Sequence, residues 1–316
     1  MHSIEFDLRP VPPFRLDLTV WAIRRRPDNL IDRWDGTTYR RLLIADDAPL
    51  ELSVIQTAPP EAPCLHVRVE GSAVAPAILP EVTEAINRLL GLQIDLTAFY
   101  QLAARDPRLD ELATRFRGLK PPRFPTIFEA LVNAVACQQI TLTQGIRLLN
   151  RLAEARGPAV PVGEPPFYAL PGPAELAPLE PWMLRGIGFS LQRAQALVDA
   201  GRAVVSGALD LATLANLDDA AATARLRELY GVGRWSAEYV LLRGLGRLEI
   251  FPADDVGARK SLQLWLGRSS ALDYTAACRA VADWSPFAGL VYFHLLLSRL
   301  ATAGYLSAQD RPAGGE

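Results

Sequence analysis

Apolar and polar residues alternate in two short stretches near the N-terminus. Residues 50–54 and 64–69 place an apolar side chain at every second position, which is the period of a strand with one buried face. Residues 80–92 instead show the apolar spacing of a helix. We therefore expect a small mixed α/β domain over residues 1–92.

After residue 93 the apolar pattern becomes helical. Residues 128–136 carry apolar side chains at i, i+3, i+4, i+7 and i+8, the stripe of a helix that packs on a core. Thr141 followed by Gln144 matches a capping box. The next helix is therefore expected to begin after Thr141, and the preceding helix to end near Gln139.

Further helical patterns follow a proline-rich connector over residues 158–181. No convincing strand is expected after residue 93. Residues 309–316 are rich in proline and glycine, which favours a disordered tail. The sequence thus predicts a mainly α protein, in which the small α/β domain precedes an all-helical domain over residues 93–308.

The charge balance argues against a protein that binds polyanions over its whole surface. Among 316 residues, 33 are basic and 35 are acidic, giving a formal charge of −2 at pH 7, whereas such proteins are usually strongly basic. The charge is unevenly distributed, since residues 115–156 contain seven basic and two acidic side chains. We expect this segment to form a basic face.

Cysteine and histidine are too scattered for a metal site or a disulfide framework. Cys64, Cys137 and Cys278 show no CxxC spacing, and the three histidines are equally dispersed, which excludes an iron–sulfur cluster and a zinc signature. The first residues lack a charged segment followed by an apolar run, and no apolar stretch is long enough to span a bilayer. We expect a cytoplasmic protein without a membrane partner.

The most informative stretch predicts two helices joined by a glycine turn. Asp218 can cap the first helix, Gly231 ends it, Gly233 allows a second tight turn, and a new helix begins near Arg234. Such glycines let backbone N–H groups approach a ligand, and the helix start adds free donors and a positive dipole end. This arrangement suits a phosphate oxygen. A plain corner between two helices, without a ligand, explains the same glycines.

The helix after this turn has two different faces. At 100° per residue, Ala237, Val240 and Gly244 share one side, and these small residues predict close packing on another helix. Trp235 and Tyr239 lie together on the opposite side. They face either a further part of the core or a cleft for a ligand that prefers aromatic rings.

Two adjacent aspartates precede a further predicted helix. Asp254 and Asp255 follow Pro252, and one of them suffices as the helix N-cap. A helix start stabilises negative charge, which suits electrostatic stabilisation of a cationic transition state more than general-acid catalysis. A pair of residues with a purely structural capping role is the alternative.

In combination, the hairpin, the aromatic helix and the Phe-Pro-x-Asp-Asp segment resemble the helix–hairpin–helix superfamily of DNA glycosylases, and most closely its 3-methyladenine-DNA glycosylase II type. The resemblance covers nearly the whole chain. Residues 1–92 look like the small TATA-binding-protein-like domain of the family, and residues 124–129 leading to 137–141 look like its helix and DNA-wedge turn. The fold implied is mainly α, with two helical subdomains flanking a cleft.

The resemblance implies roles for individual residues. The catalytic carboxylate of the family, 22 residues after the second hairpin glycine, falls on Asp255, with Asp254 as the neighbouring structural cap. The residue inserted into the DNA stack is Gln139. The implied base pocket consists of Trp235, Tyr239 and Trp284, and the implied DNA-backbone contacts are Gly231, Val232, Gly233, Arg234 and Ser236.

Two positions bear on the reaction. Related bifunctional glycosylase/lyases carry a lysine two residues after the second hairpin glycine, where this chain has Trp235. The resemblance therefore implies an enzyme without Schiff-base chemistry or strand cleavage. Some members place a tryptophan in the last long helix as a pocket wall, whereas residues 292–296 contain none. Trp284 either compensates for this or belongs to the core.

The function implied is hydrolysis of the N-glycosidic bond of an alkylated base during base excision repair. The implied partner is double-stranded DNA with damaged bases, bound by a monomeric protein. No cofactor is required, although the hairpin carbonyls are suited to a monovalent cation. Two other interpretations stay open: a helix–hairpin–helix DNA-binding protein that has lost catalysis, and a helical protein-interaction domain unrelated to DNA. Base release and salt-dependent DNA binding separate the three.

Overall fold

The N-terminal part of the chain folds around an antiparallel sheet. The computed structural model describes residues 2–72, 74–160 and 166–306, and the tail predicted to be disordered lies outside these ranges. Five strands form one sheet in the order β1-β5-β4-β3-β2. The strands are β1 (His2–Leu8), β2 (Arg33–Trp34), β3 (Thr38–Ala45), β4 (Ala48–Gln56), β5 (Leu65–Gly71), β6 (Ala159–Val160) and β7 (Phe167–Tyr168).

The register of this sheet follows the alternation in the sequence. Leu52 of β4 pairs with Val69 of β5 and with Arg41 of β3, and the apolar residues of β4 and β5 face the core. Asp46 and Asp47 join β3 to β4 with φ of 48° and 56°, as a two-residue hairpin turn requires. Both strands predicted from the alternation are confirmed.

Helices make up most of the rest of the chain, so the predicted mainly α fold is confirmed. Short 3₁₀ turns cover Pro76–Ile78 and Ala282–Trp284, and a π-helical turn covers Leu241–Leu245. The α-helices are α1 (Leu16–Arg24), α2 (Leu79–Leu90), α3 (Thr97–Ala103), α4 (Pro107–Arg115), α5 (Ile127–Cys137), α6 (Leu142–Arg156), α7 (Pro173–Leu176), α8 (Pro181–Arg185), α9 (Leu191–Val205), α10 (Leu211–Asn216), α11 (Asp219–Arg227), α12 (Arg234–Val240), α13 (Val256–Trp265), α14 (Tyr274–Val281) and α15 (Ala288–Thr302).

Two apolar cores lie side by side. The first joins the inner face of the sheet and α2 to α5, α6, α9 and α12. The second joins α3 and α4 to α13, α14 and α15. Helix α1 contributes to both cores, with Val20 in the first and Leu18 in the second. Residues at the end of α12 and the start of α13 therefore stand at the border between the two.

Helix α5 is the centre of the first core, as its stripe predicts. Thr141 accepts a hydrogen bond from the N–H of Gln144 at 3.2 Å, and its own N–H donates to Oε1 of Gln144 at 3.2 Å, so the capping box of α6 is confirmed. A Cβ on Gly244 would lie 2.9 Å from Cβ of Ala130 on α5. The small face that begins in α12 packs closely on α5, as expected.

One expectation about the middle of the chain is wrong. No strand was expected after residue 93, yet β6 and β7 pair with each other, because two-residue strands are too short to show an alternating pattern. The basic face expected over residues 115–156 also lacks one of its seven basic side chains. Lys120 is fully buried, donates from Nζ to the carbonyl oxygen of Ile94 at 2.6 Å, and has its pKa lowered to about 8 by burial.

Within the described ranges, no single helix is long and apolar enough to cross a membrane. The segments Tyr274–Trp284 and Ala288–Thr302 reach the required length and composition only as a pair, and they are bent by 106° relative to each other.

Candidate active site

The predicted glycine hairpin joins α11 to α12. Asp218 caps α11 by accepting a hydrogen bond from the N–H of Ala221 at 2.7 Å, Gly231 adopts a left-handed φ of 75°, and α12 begins at Arg234 directly after Gly233. Gly233 is exposed, and a Cβ there would meet nothing within 4 Å. The first N–H groups of α12 thus open onto an unobstructed surface, which suits an anionic ligand.

The hairpin is held from behind by α9 and by Gln138. A Cβ on Gly231 would lie 2.8 Å from Cβ of Ala196 on α9, so glycine is required there for close approach. Nε2 of Gln138 donates to the carbonyl oxygen of Gly231 at 2.8 Å and to the hydroxyl of Ser236 at 2.7 Å. Ser236 is almost fully buried and its hydroxyl is bonded to Gln138, so its predicted contact with the DNA backbone is wrong for this structure.

The turn after α5 presents Gln139 to the outside. Helix α5 ends at Cys137, and Nη2 of Arg193 on α9 donates to the carbonyl oxygen of Gln138 at 2.5 Å. Gln139 is exposed and has a φ of 50°, a conformation that is uncommon outside glycine and that occurs at functional positions. The turn predicted to be the DNA wedge therefore holds an exposed side chain beside the hairpin.

Asp255 is the N-cap of α13, so the expectation that Asp254 would be the cap is wrong. Oδ1 of Asp255 accepts a hydrogen bond from the N–H of Ala258 at 2.9 Å, and Oδ2 accepts one from the hydroxyl of Tyr292 at 3.3 Å. The two bonds come from α13 and α15, and together they orient the carboxylate. Asp255 remains partly exposed.

Asp254 forms ion pairs instead of capping a helix. Its Oδ2 lies 2.6 Å from Nε of Arg234, and its Oδ1 lies 3.6 Å from Nη1 of Arg259. The guanidinium of Arg234 also lies 3.6 Å from the centre of the Tyr274 ring. The side chain of Arg234, predicted to bind the DNA backbone, is therefore engaged by the residue next to Asp255.

Trp235 and Tyr239 are in contact, but they are not equally accessible. Their ring centres lie 5.4 Å apart. Trp235 is half-buried, whereas Tyr239 is only 2% exposed and its hydroxyl accepts a hydrogen bond from Nη1 of Arg25 at 2.7 Å. Tyr239 supports Trp235 from within the first core, so its predicted place in the pocket wall is wrong for this structure.

Trp284 belongs to the second core, and its predicted place in the base pocket is also wrong. Its Nε1 donates to Oδ2 of Asp106 at 3.1 Å, and its ring lies 5.2 Å from that of Trp265. Trp265 is the last residue of α13, and Asp255 is the N-cap at the other end of this helix. The length of the helix, about 15 Å, therefore separates Asp255 from the Trp265 ring on which Trp284 packs.

Two buried guanidinium groups stand behind Tyr239, and the sequence analysis missed both. Arg25 also donates from Nη2 to Oδ1 of Asn133 at 2.7 Å. Arg243 is fully buried, donates to the carbonyl oxygen of Ala22 at 2.5 Å, and lies 5.6 Å from the Tyr239 ring. Burial lowers the pKa of Arg243, which the neighbouring Tyr239 partly opposes. Arg25, which follows the last residue of α1, bonds to α5 and α12, and Arg243 bonds back to α1. Together they connect α1 to the helices that carry the site.

Among the described residues, no group of three or more His, Cys, Asp or Glu side chains is placed to hold a metal ion. The hairpin carbonyls are the remaining candidate ligands for a cation. The carbonyl oxygen of Gly231 is used by Gln138, but a carbonyl has a second acceptor position.

Side-chain contacts join the three predicted parts of the site. Gln138 links the wedge turn to the hairpin, and Arg234 links the hairpin to Asp254. Trp235 packs on the first core, and Tyr292 of the second core donates a hydrogen bond to Asp255. The wedge turn, the hairpin and the carboxylate are thus one connected surface at the border of the two cores.

The chain is similar to several named proteins, although no family model matches it. The DNA-3-methyladenine glycosylase of Bacillus subtilis is 32% identical over 184 residues, which are 58% of this chain and 61% of the relative. DNA-3-methyladenine glycosylase 2 of Escherichia coli is 27% identical over 250 residues, 79% of this chain and 84% of the relative. The chain thus spans about three fifths of the length of the Bacillus relative.

A solved structure also matches over almost its whole length. The 3-methyladenine DNA glycosylase of Archaeoglobus fulgidus superimposes with a TM-score of 0.80 at 22% identity, covering 92% of this chain and 97% of that chain. At this identity the similarity concerns the fold. The mainly α fold with a small N-terminal sheet, which the sequence resemblance implies, agrees with the fold of the solved protein.

Proposed function

We propose that the chain is a member of the helix–hairpin–helix superfamily of DNA glycosylases, of the 3-methyladenine-DNA glycosylase II type, and that it hydrolyses the N-glycosidic bond of alkylated bases in double-stranded DNA. One observation carries this proposal: Gln138 joins the wedge turn to the hairpin, and Arg234 joins the hairpin to the residue before Asp255. Base excision needs a backbone grip, a side chain that replaces the base, and a carboxylate at the vacated position.

The hairpin and the wedge turn act on the DNA before the reaction. The exposed N–H groups at Gly233 and the start of α12 hold a backbone phosphate. Flipping the target nucleotide costs a few kcal/mol, and least for a damaged or mismatched pair. Gln139 occupies the gap that the base leaves. Trp235 is the aromatic side chain at the border of the cores, and stacking on it favours a cationic base by about 0.5–2 kcal/mol.

Asp255 stabilises the positive charge that develops on the sugar and helps to orient the attacking water. The Ala258 N–H and the Tyr292 hydroxyl hold its two oxygens in a fixed orientation. N-alkylation weakens the glycosidic bond, so the reaction needs no strong general acid. Trp235 occupies the position where bifunctional relatives carry a lysine, which supports a monofunctional enzyme without strand cleavage.

The decisive experiment compares Asp255→Asn with the wild type on a panel of duplexes that carry defined lesions. Asparagine still caps a helix, so we expect an intact fold, unchanged DNA binding, and a base release at least 100-fold slower, as for loss of a main electrostatic group. Asp273→Asn is the matched control, because Asp273 caps α14 by accepting from the Ala276 N–H at 2.7 Å. Base release by Asp255→Asn at the wild-type rate would refute the proposal.

The alternatives predict different results in the same assay. A helix–hairpin–helix protein that has lost catalysis binds the duplexes with a salt-dependent affinity but releases no base from any of them. A helical protein-interaction domain binds no DNA, or binds it without salt dependence. The carboxylate at Asp255 favours the enzyme, because a protein that only binds DNA gains nothing from a negative charge at this surface.

We further propose a cytoplasmic monomer that needs no organic cofactor, with double-stranded DNA as its partner and a monovalent cation at the hairpin carbonyls. Measuring duplex affinity in potassium and in lithium chloride of equal concentration tests the cation. Equal affinities in both salts would contradict it.

A further inference from the structure

Arg234 stands where the hairpin meets the loop before Asp255. It is the first residue of α12, and its Nε lies 2.6 Å from Oδ2 of Asp254 while its guanidinium covers the Tyr274 ring at 3.6 Å. One edge of the guanidinium is thus taken by a carboxylate and one face by an aromatic ring. A DNA phosphate would have to displace Asp254 to reach the same nitrogen.

Glu238 makes a second connection, one helical turn further along α12. It is 8% exposed, and its Oε1 accepts a hydrogen bond from the Tyr274 hydroxyl at 2.8 Å. Burial raises the pKa of Glu238, against which the Tyr274 hydroxyl and the backbone N–H of Ala253 favour the ionised form. Its Oε2 is buried without a protein partner. Helix α12 thus contacts Ala253 and Asp254, the two residues that precede Asp255.

From this geometry we propose that Arg234 and Glu238 are positioning residues, which hold the loop of residues 253–255 in a fixed place relative to the hairpin. The position at which the hairpin binds a DNA phosphate then determines where the Asp255 carboxylate lies relative to the glycosidic bond. This inference rests on the proposed glycosylase function. Arg234 contributes to the rate of base release and not to DNA affinity.

The charges explain why Arg234 is needed between the two carboxylates. Without it, Glu238 and Asp254 repel each other, and the loop with Asp255 moves away from α12. Displacement of a reacting group by about 1 Å can cost up to 100-fold in rate. Removing the charge of Asp254 as well abolishes this repulsion, so the second substitution does not add to the first.

A double-mutant cycle of Arg234→Met and Asp254→Asn tests the proposal, with two measurements on each variant. Duplex affinity and its salt dependence are measured with an abasic-site analogue, and the rate of base release is measured in single turnover with saturating enzyme. We expect affinities within about 2-fold of wild type, rates about 10-fold lower in each single variant, and a double variant no slower than Arg234→Met. Arg268→Met, which removes an exposed charge near the far end of α13, should behave as wild type.

A phosphate ligand at Arg234 gives the opposite pattern. Arg234→Met would then weaken binding, lower the salt slope by about 1, and leave the saturated rate unchanged, while Asp254→Asn would tighten binding. That result, or additive losses in rate, would overturn the proposal. Thermal unfolding of each variant confirms that the fold is kept. If the wild-type protein itself releases no base, the proposed glycosylase function is refuted. The positioning role of Arg234 is decided separately, by the double-mutant cycle in a protein that does release base.

Discussion

The Tyr292 hydroxyl donates a hydrogen bond of 3.3 Å to Oδ2 of Asp255. Tyr292 comes from α15 in the second core and is 8% exposed, so this bond is largely shielded from competing water. Oδ1 of Asp255 is held separately by the N-cap bond of α13. The carboxylate is therefore oriented by two helices, and neither bond alone determines its direction.

Replacing Tyr292 with phenylalanine removes the donor and keeps the ring, whose centre lies 6.0 Å from that of Phe251. For Tyr292→Phe we expect single-turnover base release to slow by about 10-fold, less than for loss of a main oxyanion donor, with little change in stability. Tyr305→Phe is the matched control, because the Tyr305 ring stacks on Trp21 at 5.6 Å. Equal rates for Tyr292→Phe and wild type would show that the hydroxyl does not orient Asp255.

The two hairpin glycines should respond differently to alanine. Gly233→Ala places a methyl group in open space, so we expect unchanged stability and a several-fold weaker affinity for duplex DNA, because the methyl group stands between the N–H donors and a phosphate. Gly231→Ala combines a φ of 75° with a contact of 2.8 Å to Ala196, and should cost about 1–3 kcal/mol of unfolding free energy. Denaturant unfolding and fluorescence anisotropy measure both. Wild-type affinity of Gly233→Ala would argue against a phosphate site.

Replacing Gln139 with glycine should preserve or raise stability but reduce base release. Its φ of 50° suits glycine, so Gln139→Gly should keep the unfolding free energy or raise it by up to about 1 kcal/mol. Base release from a well-paired duplex should fall, and release from a lesion in a mismatch should fall less, because less unstacking is needed there.

Asp47→Gly serves as the control for backbone strain. Asp47 also has a positive φ, of 56°, in the β3–β4 turn, so the same substitution should affect stability similarly and leave base release unchanged. If both variants release base equally well, Gln139 is not the wedge.

His294 makes stability depend on pH below neutrality. It is 1% exposed, its Nδ1 pairs with the carbonyl oxygen of Leu290 at 2.9 Å, and its Nε2 has no partner. Burial lowers its pKa from 6.5 to about 4. The unfolded chain therefore takes up a proton at a higher pH than the folded chain, and stability is lost as the pH falls from about 6.5 to about 4, by up to about 3 kcal/mol.

Denaturant unfolding at pH 7 and at pH 5 measures this loss. His294→Gln keeps a donor for Leu290 but does not titrate, so its stability should fall less between the two pH values than that of wild type. An identical fall in both proteins would assign the effect to other groups.

Local sequence patterns predicted the helix caps of α6 and α11 correctly, because residues close together in the sequence determine them. The capping box of Thr141 and Gln144 and the cap at Asp218 each involve residues within a few positions of one another, and both are found as expected. The expected helix stop at Gly231 is wrong, because α11 already ends at Arg227 and Gly231 provides only the left-handed turn that follows. Asp255 stands at the border of the two cores, but its catalytic role is still a prediction.

The contacts that the sequence did not predict join residues that lie far apart along the chain. Arg25 bonds to Asn133, 108 residues away, and to Tyr239, 214 residues away, and no local pattern announces either contact. Asp254 and Asp255 are equally good caps by residue type. Which one caps is settled by the ion pair of Asp254 with Arg234, 20 residues earlier. Trp284 and Tyr239 were misplaced because periodicity indicates a face but does not say what covers it.

The two hydrogen bonds from the Gln138 amide set a fixed distance between the exposed Gln139 and the open backbone at Gly233. Under the proposed function, the base step entered by Gln139 and the phosphate bound by the hairpin are therefore a set number of nucleotides apart. The nucleotide placed at Asp255 would then be selected by this distance in the protein and not by the sequence of the DNA.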